Sequence, residues 1–123
     1  MLSHHQLFSA FDSQGENLEG WLGSLLDDEK IYAWFWGHEQ RCIVYKPHRN
    51  IKARCIGHGG IPYKAHADPH PDTDIPVEWT DEREHPQKPG QGIFGFAFLN
   101  LDGANLHVQY IDEFGGIPKE EDL

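Results

Sequence analysis

Apolar positions along the chain follow two different periods, and the period assigns the elements. Leu18, Trp21, Leu22, Leu25 and Leu26 recur at i, i+3, i+4, i+7 and i+8, the spacing of one helical face. Asn17 stands where a helix cap belongs, and Asp27-Asp28 oppose the dipole at the far end and help to stop the helix. Gly20 and Gly23 each cost about 1 kcal/mol relative to alanine, so packing on a sheet must hold this helix. Around it the pattern is that of strands. A short strand before His4 leads into a loop from Phe8 to Gly15, and Ile31 to Trp36 is apolar on both faces, as a central strand is. Arg41 to Lys46 and Ile51 to Ile56 form a hairpin about Pro47-His48-Arg49-Asn50. Phe94, Phe96 and Phe98 alternate with Gly95, Ala97 and Leu99, Asp102-Gly103 signals a tight turn, and Asn105 to Ile111 alternates on the way back. Glu113 onward is Gly-rich, then acidic, and is expected to fray.

Between these blocks, six of the eight prolines fall from Pro62 to Pro89, so residues 61–92 cannot run as a helix or a central strand. They read as a long excursion anchored by Ile75, Val77 and Trp79. The sum is one α+β domain over 1–123, with one amphipathic helix and a mostly antiparallel sheet of about six strands.

Charge narrows the partners. Twenty acidic against ten basic residues give a formal charge of -10, which repels nucleic-acid backbones and anionic membranes. No run approaches the roughly 18 apolar residues of a membrane span, and a signal peptide's basic and apolar regions are absent, so a cytoplasmic chain is expected. In that compartment Cys42 and Cys55 are expected as buried free thiols, although pairing Lys46 with Ile51 sets them opposite each other.

Chemistry concentrates where apolar runs stop. Ser3-His4-His5 follows the first short strand, and Trp34-Phe35-Trp36 ends in Gly37-His38-Glu39-Gln40. A strand that stops at a glycine and presents an imidazole is a common way to deliver a metal ligand at a sheet edge. These two endings, with Arg54-Cys55-Ile56-Gly57-His58-Gly59-Gly60-Ile61-Pro62, resemble the C-terminal part of the calcineurin-like metallophosphoesterases, in which a His-His segment closes one strand and a Gly-His-x-His segment closes a later one.

The resemblance implies the C-terminal half of that α/β sandwich and a divalent ion (Mn, Fe or Zn) with His4 and His38 as ligands of one metal. Gln40 would face the second metal, where the family has histidine; an amide oxygen is a weak ligand beside imidazole. The family's earlier Asp-x-His, Gly-Asp and Gly-Asn-His motifs have no counterpart, and Asp68-Pro69-His70 lies in the wrong place to supply one. The expectation is a truncated chain with no catalytic residues of its own, weak or absent metal binding in isolation, and little hydrolysis alone. Its partner is then a second copy or a chain supplying the missing half. The alternatives are a non-catalytic oligomeric binding or assembly module, half of a split phosphoesterase, and a small single-metal sensor. His5 is expected to point opposite His4, Glu39 to face away from the site and pair with Arg41 or another basic neighbour, and His58 to sit in a structural turn or at the site's mouth. His66, Asp68, His70, Asp72 and Asp74 read as a solvated acidic loop. Trp34, Trp36 and the phenylalanines after Ile93 need a cover, which points to self-association.

Overall fold

The helical period folds as α1, Glu16–Asp27, in a computed structural model that describes residues 1–123. Gly15 rather than Asn17 holds the cap position, without a side-chain bond, while Glu16 and Glu19 place negative charge on the first turn. The contact stripe is narrower than the apolar pattern: Leu18, Leu22 and Leu26 lie along one i, i+4, i+8 row against the core, and Trp21 on the flank is 78 % exposed.

Seven strands form two sheets. The first has β1 (Ala33–Trp36), β2 (Cys42–Tyr45), β3 (Lys52–Ile56) and β4 (Val77–Thr80) in the order β1-β3-β2-β4. Here β1 and β3 are parallel, and the β2–β3 and β2–β4 pairs antiparallel. The second runs β5 (Gly95–Asp102), β6 (Asn105–Asp112) and β7 (Lys119–Asp122), antiparallel throughout. The architecture is therefore α+β with two antiparallel-rich sheets, and no helix is long and apolar enough to cross a membrane.

Side chains alternate across the first sheet and build two cores. Trp34, Trp36, Ile43, Tyr45, Ala53 and Cys55 face α1 and the N-terminal loop, where Leu7, Phe8 and Leu26 cover them. Phe35, Cys42 and Val44 face the second sheet and meet Val108 and Tyr110. The two tryptophans thus find their cover within the chain, against the expectation that they lack one. Among the apolar groups left exposed are Leu2, Trp21, Phe96, Phe98 and Leu101.

Several expectations need correction. β1 is buried on both faces but is not central: beyond it lies only the single parallel bridge from Leu2 to Phe35. The β2–β3 hairpin closes on His48 and Ile51, with Arg49 and Asn50 both left-handed (φ 52° and 60°), the geometry of a two-residue primed turn. The strands then pair Ile43 with Cys55 and Cys42 with Ile56, one residue out from the expected register. A one-residue shift moves a side chain to the other face, so Cys42 and Cys55 belong to different cores and stay unbridged. Residues after Glu113 do not fray. They return as β7 because Arg54, reaching out of β3, makes a two-pronged bond to Glu121 at 2.7 Å each, and Tyr110 Oη donates to the same carboxylate at 2.6 Å. Burial alone would disfavour a charge at either group; the paired hydrogen bonds hold the Glu121 carboxyl below its ordinary range.

Candidate metal centre

The N-terminal segment is fastened to β1 before it reaches its histidines. Ser3 N–H donates to Phe35 O at 3.1 Å, and the Trp34 indole donates to Ser3 Oγ at 2.7 Å. His4 O then accepts the N–H groups of Gly37 (3.2 Å) and His38 (2.9 Å), so the turn after β1 is stitched directly onto the first histidine. The turn closes with Gln40 N–H on Gly37 O at 3.1 Å and with Gln40 left-handed at φ 55°.

This stitching brings His4 and His38 together. His38 Nδ1 lies 3.2 Å from His4 Nε2, and the ring centres are 5.1 Å apart. His5 joins them, contrary to the expected alternation, because residues 4 and 5 form a bend rather than a strand; its ring lies 4.8 Å from His4 and 4.3 Å from His38. One ring nitrogen from each of the three falls within 4.8 Å of the others; His4 and His5 are exposed and His38 is half-buried. Gln40 sits two residues beyond His38, half-buried.

Within this donor set, the spacing of the His4–His38 pair is compatible with a divalent cation. Two imidazole nitrogens each about 2.1 Å from one ion stand roughly 3.0–3.4 Å apart in octahedral or tetrahedral geometry. The 3.2 Å between His4 and His38 matches that span, and without an ion it is the length of a direct N–H···N hydrogen bond between the two rings. The lone pairs that face an ion would be Nε2 of His4 and Nδ1 of His38, which assigns the proton to the other nitrogen of each ring. The cluster contains no carboxylate, so nothing in it bridges two ions.

Glu39 is the residue that sequence reasoning misplaced. It does not pair with Arg41, whose guanidinium donates to Lys64 O and lies over Phe11. Glu39 is instead 8 % exposed, and its carboxylate accepts from Ser9 Oγ (2.6 Å), Tyr45 Oη (3.1 Å) and the Trp36 indole. Desolvation raises its pKa, against the pull of those three donors. The only signal was an acid three residues after the last of a run of buried aromatics.

His58 is likewise structural rather than at a site mouth. It is 2 % exposed, and a Cβ built on Gly95 would stand 2.6 Å from its Nε2, so glycine at 95 makes room for the ring. Gly57 before it is required by close approach, since a side chain there would overlap Gly37 O where the ends of β1 and β3 meet. In the excursion, His66 lies 3.5 Å from Glu84 and 3.8 Å from Glu82, and His70 lies 3.9 Å from Asp72, all on exposed side chains. No family model matches the chain, and comparison with curated proteins finds no match.

Proposed function

We propose that this chain is a metallophosphoesterase-like protein that carries the histidine-donating, C-terminal part of a metal site. As an isolated chain it does not hydrolyse phosphoesters efficiently. The observation that carries the reading is the meeting of His4 and His38 at 3.2 Å, at the ends of two neighbouring segments, with open access from solvent. His4 and His38 hold one divalent ion, His5 is the third donor at hand, and Gln40 keeps the place of a second-metal ligand. A bound ion would supply Lewis acidity toward a phosphoryl oxygen and lower the pKa of a bound water. Two-metal phosphoryl chemistry also needs a bridging carboxylate, which a partner chain would have to supply.

Metal titration of the purified chain with Mn²⁺ and Zn²⁺, followed by an assay on a chromogenic phosphodiester, tests this reading. One equivalent of ion should bind, His38→Ala should weaken binding by at least about tenfold, and hydrolysis should stay at background. No metal uptake by the wild-type chain refutes the site, and hydrolysis that disappears in His38→Ala refutes the inactivity.

A second reading, a non-catalytic assembly module, is favoured by β5. Gly95 to Leu101 has no charged residue in a chain of charge -10, and Phe96 and Phe98 are about half exposed on it. A metal-free chain that sediments as an oligomer would support that reading over the first.

A further inference from the structure

The Ser9–Glu39 contact joins the same two segments that carry the histidines, and it does so on the buried side of the site. Ser9 lies four residues beyond His5, and Glu39 is the neighbour of His38. On the solvent side these segments are joined by the two N–H groups on His4 O. On the core side, beside the packing of the Phe8 ring on Trp36, the direct hydrogen bond is Ser9 Oγ to Glu39 Oε2. We infer that Glu39 is a positioning residue for the metal site, acting with Ser9 as a buried brace that sets the spacing of His4, His5 and His38. The inference rests on the metal reading above.

The chemistry of the brace requires a carboxylate. Ser9 Oγ already accepts the N–H of Phe11 at 2.8 Å and of Asp12 at 2.9 Å. Both hydroxyl lone pairs are therefore taken, and its single proton goes to Glu39 at 2.6 Å rather than to the more distant Tyr45 Oη at 3.5 Å. A carboxylate oxygen accepts it. The amide of a glutamine can keep the Trp36 indole on its oxygen, but its NH₂ then faces a serine oxygen with nothing left to accept. Tyr45 rigidifies the same knot: its hydroxyl lies 3.1 Å from Glu39 and 3.4 Å from the N–H of Ala10. Ser9 is fully buried, so water cannot replace the lost partner.

Neither Ser9 nor Glu39 touches the ion, so their effect must come through the placement of the histidines. Positioning partners of metal ligands typically govern about 10- to 100-fold in affinity. The test is titration of the full chain with Co²⁺, following both affinity and the visible ligand-field spectrum, in wild type, Glu39→Gln, Ser9→Ala and Val108→Ala. The last is a destabilising control in the other core. Glu39→Gln and Ser9→Ala should each weaken Co²⁺ binding about tenfold and alter the spectrum. Val108→Ala should lose stability and keep both. Ser9→Ala removes one oxygen and leaves Glu39 bonded to Trp36 and Tyr45, so it stands in if Glu39→Gln does not fold. Folded brace variants with wild-type affinity and spectrum would overturn the inference while leaving the metal site intact. Failure of the wild-type chain to bind Co²⁺ would instead overturn the metal reading, and the positioning role with it.

Discussion

Acidification should unfold this protein partly through one buried imidazole. His58 is 2 % exposed between the end of β3 and β5, and burial pushes its pKa down to about 4, outweighing the raising influence of Asp81. In the unfolded chain the ring titrates near its ordinary value of about 6.5. Between those values the unfolded state binds the proton and the folded state refuses it, so stability present above pH 6.5 is lost as pH falls toward 4. The two pKa values give a loss of about 2 kcal/mol by pH 5 and about 3 kcal/mol by pH 4, to order of magnitude. That is a large share of a small domain's total stability of about 5–15 kcal/mol. Urea denaturation followed by tryptophan fluorescence at half-unit steps from pH 7.5 to 4 measures it. Other carboxyls contribute toward the acid end of this range, Glu39 through a raised pKa, whereas the lowered Glu121 and Asp112 stay charged in the folded state while their unfolded counterparts begin to protonate. The decisive quantity is therefore the difference between wild type and His58→Gln. The variant should be less stable at pH 7.5 yet lose less on acidification, and the two curves should converge by about 2 kcal/mol between pH 7 and 5. Parallel curves over that window would show that His58 is not held neutral by burial.

Three further outcomes follow from the packing. Glu121→Ala should cost about 3 kcal/mol in urea denaturation by leaving the Arg54 guanidinium buried without its partner, and Arg54→Met with Glu121→Ala should cost less than the two single changes added together. Gly57→Ala should cost about 3 kcal/mol or prevent folding, because the new methyl would overlap Gly37 O, whereas Gly60→Ala meets nothing within 4 Å and should stay within about 0.5 kcal/mol of wild type in thermal melts. Native Cys42 and Cys55 should react with a thiol reagent at pH 8 far more slowly than in denaturant, since burial raises both thiols, Cys55 to about 12; intact mass after mild oxidation should show no intramolecular bridge.

What the sequence determined was local. The 3.6-residue spacing from Leu18 to Leu26 made a helix, the alternation on either side of Asp102-Gly103 made the β5–β6 hairpin, and prolines kept Val77–Thr80 to an edge strand. It also drew attention to His4 and His38, because glycine and histidine after an apolar run are visible in one dimension. Register and layer order were not visible there. The β2–β3 strands pair one place out from the expected register, and one place out from the register that the His48–Ile51 bridge alone would set, which sends the two cysteines to opposite faces. β7 looked like a charged tail, and Arg54, 67 residues away in the chain, with Tyr110 gives Glu121 a reason to turn inward. The direction of His5 was misjudged because alternation holds only inside a strand, whereas Glu39 does face away from the histidines but was given the wrong partner; both residues lie in turns whose orientation is set by hydrogen bonds to segments about 30 residues distant. Short-range sterics and hydrophobic period act between neighbours and are legible in order; desolvation and pairing act between groups that meet only after the chain has folded.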